Sequence, residues 1–264
     1  AASAPILLIQ GPTGSGKSAL ALTLAERLGG AIVNADALQV YADWRVLSAR
    51  LSAEEEARAP HFLFGHVDAA ERYSVGRWLQ DALAAIGAIQ AQGQLPILVG
   101  GTGLYFRALT SGLAEIPDVP EDIRDAVEAR LKAEGPAALH AELTAIDPDA
   151  AARIKPADPA RIQRALSVFA AFGETITALR ARTAPPLPGA GFCGVALIPP
   201  RANLYAAIDR RFADMVQSGA LDEARALLRR GLDADLPAMK AVGAPPLFAY
   251  LRGEIDLEPA IALG

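Results

Sequence analysis

Residues 6–18 read ILLIQGPTGSGKS, and residues 19–28, ALALTLAERL, continue in helix-forming composition. An apolar run, a glycine loop and a helix in that order make a phosphate cradle. Glycines let the loop curl until several backbone N–H groups point inward, and the helix N-terminus adds its positive dipole end. Within the loop Gly11, Pro12, Thr13, Gly14, Ser15 and Gly16 supply the turn. Lys17 is placed to reach the terminal phosphates, and the Ser18 hydroxyl is placed to bind Mg²⁺. The motif leaves open whether those phosphates belong to a nucleotide.

Working outward, AIVNADALQVY gives a short apolar strand ending near Asn34, with Asp36 just past its carboxyl end. That is the edge at which open parallel sheets bind ligands. A helix is expected around SAEEEARA at 52–59, before the apolar HFLFGHV at 61–67. Residues 74–92 carry Val75, Trp78, Leu79, Leu83, Ile86 and Ile89 at helical spacing, with Ser74 as N-cap. LPILVGGTGLYFRAL at 95–109 then repeats strand, glycine turn and helix start. Such alternation implies an α/β fold: a P-loop NTPase-like parallel sheet core with helices on both faces.

The pattern changes at 114–183. Pro117 and Pro120 introduce an all-helical series through residue 173, and APPLPGAG at 184–191 marks a linker before GFCGVALI, which reads as a buried strand. The expected organisation is a core over 1–113 and 184–264, interrupted by an all-helical insertion domain over 114–183. In the final helical segment Leu204, Ile208, Phe212 and Met215 share an apolar face, beside Arg210 and Arg211.

Composition narrows the classes. A chain of 264 residues with 52% hydrophobic content is long enough for a sizeable core and is not broadly disordered. It shows neither a membrane-spanning apolar stretch nor a signal-peptide pattern, so a cytoplasmic protein is expected, without a membrane partner. Cys193 is the single cysteine and reads as a buried core thiol; His61, His66 and His140 lack metal-ligand spacing and read as structural. A net charge of −5 makes no general case for nucleic acid, although a local basic surface is compatible with it.

Hydrolytic P-loop motors and switches need an acid at the end of an apolar strand to hold Mg²⁺ and water. Here PILV ends in Gly100-Gly101-Thr102-Gly103. No guanine-reading Asn-Lys-x-Asp signature is present either. A small-molecule kinase using Asp36 as base and lid arginines remains an alternative.

Taken in order, GPTGSGKS, NADALQVY, LPILVGGTGLYFRAL, DPARIQRAL and AAIDRRFADMV resemble the tRNA dimethylallyltransferases, the tRNA isopentenyltransferase family, over nearly the whole chain. The resemblance implies Mg²⁺-supported transfer of a dimethylallyl group from dimethylallyl diphosphate to N6 of the adenine 3′ of the anticodon. It further implies that the helical insertion grips the anticodon stem-loop. The loop that would hold ATP phosphates would then hold the departing pyrophosphate, and no attacking water is needed. Asp36 matches the general base, Thr102 a contact to the target nucleotide, and Arg211 a further cation for the diphosphate. Asp36, Ala37, Leu38 and Gln39 match a tRNA-contacting segment in which Gln39 would read the flipped adenine. Arg124 and the run Ala160, Arg161, Ile162, Gln163 and Arg164 match tRNA-binding positions on the insertion. A monomer is expected.

Several positions depart from the family pattern. Ala37 stands where serine is usual, Ser167 where glutamate is common, SARL at 48–51 replaces Thr-Ala-Lys-Pro, and VGAPPL at 242–247 replaces a Gly-Tyr motif. Pro245-Pro246 is expected to break or start a helix. The sequence ends at EPAIALG, short of the basic helix with which the family continues. A non-catalytic RNA-binding relative is therefore a third reading.

Overall fold

The computed structural model describes residues 5–114, 116, 118–200 and 211–264. Five strands form one parallel sheet: β1 (Ile6–Gln10), β2 (Gly30–Asn34), β3 (His61–Phe62), β4 (Leu95–Gly100) and β5 (Phe192–Ala196), in the order β3-β2-β4-β1-β5. The central runs ILLI and PILV are continuously apolar because helices cover both faces of a parallel sheet.

Alternation along the strands sorts side chains to the two faces. Leu7, Ile9, Ile32, Ile97 and Val99 pack with Ala21, Leu22 and Ala25 of α1 (Lys17–Leu28). Ile6, Leu8, Val33 and Leu98 face the larger cluster, which includes Trp78, Ala82, Ala85, Ile86 and Ile89 of α3 (Val75–Ala91). Burying each large aliphatic side chain contributes about 2 kcal/mol. Ser74 caps α3 by accepting from the Arg77 N–H at 3.2 Å. The Trp78 indole N–H donates to the Asn34 carbonyl at 2.8 Å and its ring stacks on Tyr105 at 4.2 Å, which fixes the end of β2.

β5 corrects one expectation. GFCGVALI is not a buried strand: among the described residues β5 lies at the sheet edge, pairs only with β1, and leaves Cys193 and Gly194 exposed. The apolar run reports strand propensity, whereas burial needs neighbours on both sides. The proline pair starts a helix rather than breaking one, in Ala244–Leu251. The histidines are structural: His61 bonds the Ala59 carbonyl at 2.7 Å, His66 bonds Tyr73 at 3.3 Å, and His140 bonds the Ile154 carbonyl at 2.8 Å.

The chain divides into two compact units, Ala1–Thr110 with Leu187–Gly264, and Ser111–Pro186. The second is helical: α5 (Glu121–Glu134), α6 (Pro136–Ile146), α7 (Pro148–Ala151), α8 (Pro159–Phe172) and α9 (Ile176–Ala181), following α2 (Ala53–Glu56) and α4 (Gly103–Ser111) of the first. Leu139, Leu143, Ile162, Leu166 and Val168 form its own core. Asp147 ties three of its elements, ending α6, accepting from the Ala150 N–H that opens α7 and from the Thr177 N–H of α9, each at 3.0 Å. Among the described residues no helix is long and apolar enough to cross a membrane.

Candidate active site

α1 begins directly at Lys17, and its N-cap Gly16 contributes no capping side chain. Its first turn carries no acid, so its free N–H groups face an anion unopposed. Gly14 and Gly16 have φ of 80° and 81°, the left-handed region that lets the loop curl. Among the described residues the Ser15 hydroxyl is buried without a hydrogen-bond partner, and Lys17 is buried with its ammonium on the Pro12 carbonyl at 3.2 Å. A buried orphan hydroxyl beside a buried ammonium is the donor set expected of a phosphate cradle. Burial lowers the Lys17 pKa, the Asp36 carboxylate raises it and Arg211 lowers it, leaving it below the ordinary lysine value.

The ends of β2 and β4 meet beside that cradle. Ala35 donates to the Val99 carbonyl at 2.8 Å, Thr102 N–H donates to the Ala35 carbonyl at 3.2 Å, and Gly11 N–H donates to the Gly100 carbonyl at 3.3 Å. A Cβ on Gly100 would overlap the Ala35 carbonyl and lie 2.8 Å from its Cα, so only glycine permits this approach. Asp36 sits immediately beyond it. Its N–H donates to Asn34 Oδ1 at 2.9 Å and its Oδ1 accepts from the Leu38 N–H at 3.0 Å. Among the described residues no hydrogen bond reaches Oδ2. One carboxylate oxygen is thus fixed and the other is available to a proton. Thr102 Oγ1 accepts from the Ala37 N–H at 3.0 Å, which ties the Asp36 turn to β4.

One cavity of about 440 Å³ collects these groups. Its polar lining includes Thr13 to Ser18, Asp36, Gln39, Ser48, Arg50, Arg211 and the acidic Glu55, and its apolar wall Leu38, Leu47, Leu51, Phe212, Met215 and Val242. Asp36, Arg211 and the Thr13–Ser18 part of the loop, all singled out from sequence, therefore share one cavity. Thr102 reaches it through Ala37. Gln39 is largely spent: its side-chain N–H₂ donates to the Ser48 carbonyl at 2.9 Å and the Ala49 carbonyl at 3.4 Å, shaping the wall and leaving Oε1 without a partner among the described residues.

The wall over 45–51 is what sequence reasoning missed. Glu223, on the Leu221–Arg229 helix, accepts from three successive N–H groups, Arg45 at 3.1 Å, Val46 at 2.8 Å and Leu47 at 3.1 Å. SARL at 48–51 stood out only as a departure from a pattern, and Phe212 and Met215 only as an apolar face; Leu204, Ile208 and Arg210 lie outside the described residues.

In the helical unit, α5 and α8 bring Arg124 beside Gln163, whose side-chain N–H₂ donates to the Arg124 carbonyl at 3.4 Å. Ala160, Arg161 and Arg164 are exposed, although Arg124 and Arg161 have intrahelical partners in Glu121 at 3.8 Å and Asp158 at 3.3 Å. Ile162 is fully buried, so its side chain belongs to the unit's core.

Residues 39–264 match the IPP transferase family and residues 4–60 the isopentenyl transferase family. The chain belongs to the IPP transferase family. A tRNA dimethylallyltransferase of Rhodopseudomonas palustris is 54% identical over 259 residues, covering 98% of this chain and 81% of the relative. The crystal structure of the tRNA isopentenylpyrophosphate transferase of Bacillus halodurans is 35% identical, with a TM-score of 0.67 over 98% of this chain and 81% of that one. A eukaryotic dimethylallyltransferase acting on tRNA is 26% identical, with a TM-score of 0.81 over 98% of this chain and 66% of that one. The core of this family member is a P-loop α/β sheet.

Proposed function

We propose that the protein transfers the dimethylallyl group of dimethylallyl diphosphate to N6 of the adenine immediately 3′ of the anticodon in a transfer RNA, releasing pyrophosphate. The observation that carries this reading is the single cavity in which a phosphate cradle, a carboxylate with one free oxygen and an apolar wall meet. A five-carbon prenyl tail calls for such an apolar wall beside the phosphate cradle, which a small-molecule kinase does not by itself require.

In this reading the backbone N–H groups of Gly14 to Lys17, with the Ser15 hydroxyl and the Lys17 ammonium, bind the diphosphate and stabilise its growing charge as the C1–O bond breaks. Arg211 adds positive charge. N6 of the adenine forms the new bond to C1, and its proton passes to Asp36 Oδ2. Leu38, Leu47, Phe212 and Met215 enclose the prenyl tail and keep water from the reactive carbon.

Mg²⁺ fits this donor set. The Ser18 side chain lines the cavity, and among the described residues no group of three or more His, Cys, Asp or Glu offers a protein-only metal site. That suits an ion held mostly by substrate phosphates and water. Mg²⁺ would supply charge neutralisation on the leaving pyrophosphate.

The helical insertion, read as 114–183, would hold the anticodon arm through Arg124, Arg161, Gln163 and Arg164 while the target base is flipped into the cavity. A monomer acting on cytoplasmic tRNA completes the proposal. The test is incubation with Mg²⁺, dimethylallyl diphosphate and unmodified tRNA bearing adenine at that position, followed by digestion and mass spectrometry. Dimethylallyl-adenosine is expected. Its absence, with phosphate transfer from ATP to a metabolite, would instead establish the kinase.

A further inference from the structure

The Arg50 side chain is largely enclosed, and among the described residues its pairing is incomplete. Its side chain is 9% exposed and lines the same cavity as the Thr13–Ser18 loop. A guanidinium so enclosed requires a charge partner and several acceptors. Among the described residues its ion-pair partner is Glu56, at 3.6 Å, beyond good charge-assisted hydrogen-bond distance; Glu223 acts on its charge from farther away and Glu55 lines the same cavity. Glu56 is engaged more closely by Arg45, at 2.6 Å. Among the described residues, Arg50 Nε and Glu56 Oε1 are both buried without a hydrogen-bond partner.

The chain nevertheless goes to some length to hold Arg50 there. Ala49 adopts a φ of 57°, a left-handed conformation costly for a residue with a Cβ, and the Gln39 side chain clamps both the Ser48 and Ala49 carbonyls. Gly65, with a φ of 53°, lies against the guanidinium, and a Cβ there would fall 2.6 Å from Arg50 Cζ. Glu223 fixes the preceding three N–H groups. Glu223 and Gln39 thus fix the 45–49 backbone from which Arg50 projects, and Gly65 lies against its guanidinium.

We infer that Arg50 is a diphosphate-binding residue, whose guanidinium completes its pairing on the anionic head of the prenyl donor in the cavity it shares with the phosphate loop. This rests on the donor proposed above and adds a third cation to Lys17 and Arg211. Arginine suits the role because its planar fork offers two parallel donors to one phosphate group.

Binding of Mg²⁺-pyrophosphate measured by calorimetry tests the assignment without requiring prenyl transfer, so it fails separately from the reaction itself. Arg50→Gln is expected to weaken binding about 10- to 100-fold, the scale of a lost charge-assisted contact. Arg50→Lys, which keeps the charge but not the fork, weakens binding less than Arg50→Gln does. Glu56→Gln removes the competing carboxylate, frees Arg50 and leaves binding unchanged or tighter; thermal melts establish that each variant folds. Arg50→Gln that binds pyrophosphate as wild type does would overturn the inference. So would equal weakening by Arg50→Gln and Glu56→Gln, which marks a merely structural pair. Loss of tRNA affinity with pyrophosphate binding intact would place the contact on an RNA phosphate and also overturn it.

Discussion

Gly100→Ala probes the geometry on which the site depends. The added Cβ would overlap the Ala35 carbonyl, a backbone group with no rotamer to yield, and would sit 2.8 Å from Ala35 Cα. The ends of β2 and β4 must then separate. That distorts the Ala35-to-Val99 and Thr102-to-Ala35 hydrogen bonds, now 2.8 and 3.2 Å. Two weakened hydrogen bonds at about 1 kcal/mol each, with overpacking of about 1–2 kcal/mol, give a loss of roughly 3 kcal/mol. Asp36 follows directly after Ala35, so a retreat of roughly 1 Å moves its carboxylate off the reacting amine at a cost of about 10²-fold in rate. The phosphate loop sits on β1 and α1, so pyrophosphate affinity should fall far less than the rate. Calorimetry, circular-dichroism melting and single-turnover prenylation at saturating donor and tRNA read the three quantities separately. A variant that melts and turns over like wild type would refute the close-approach argument, and one that loses pyrophosphate binding in proportion to rate would show that Gly100 serves the cradle instead.

Ser15→Ala removes a buried hydroxyl that has no partner among the described residues, so the melting temperature should hold or rise by the equivalent of up to about 1 kcal/mol while pyrophosphate affinity drops roughly tenfold; a marked loss of stability would contradict the role given to Ser15. Glu223→Ala strips the acceptor from three N–H groups of the 45–47 segment and should cost about 2–3 kcal/mol in chemical denaturation, with faster amide exchange at Arg45, Val46 and Leu47. Burial raises the Asp147 pKa, but hydrogen bonds from Thr177 and Ala150 and the nearby Arg153 outweigh it and hold the group below its ordinary 3.8. A depressed carboxylate stabilises fully above that ordinary value and loses its contribution as pH falls through the lowered one. Asp147→Asn should therefore destabilise the helical unit by about 2 kcal/mol at pH 7 and flatten the acid limb of its stability curve below pH 3.8, as followed by melting against pH.

What was legible in the sequence was what local chemistry writes contiguously. The phosphate loop is one unbroken stretch, so its strand, turn and helix could be read directly, and Asp36 stood out because β2 ends two residues before it. α3 followed from its apolar spacing and Ser74, and the helical series through residue 173 from its unbroken helical composition. Neighbour-dependent properties were not legible. An apolar run does not state how many strands flank it, so β5 looked buried and Cys193 with it. Arg50 became significant only when Gly65, Glu56 and Gln39 converged on it, and Glu223 only when a helix nearly two hundred residues on met the 45–47 turn. Nothing in the sequence showed that the Gln39 side-chain N–H₂ would bond the Ser48 and Ala49 carbonyls. Ile162 sat within a surface-reading motif, yet the helical period turned it into the core.

The central claim is that Asp36 accepts the N6 proton while the loop holds the diphosphate, and the most direct measurement is the single-turnover rate of Asp36→Asn on enzyme preloaded with Mg²⁺, dimethylallyl diphosphate and tRNA. The expected result is a rate reduced about 10²–10⁴-fold with pyrophosphate and tRNA affinities close to wild type. A rate within a few-fold of wild type would contradict the assignment of Asp36 as the base.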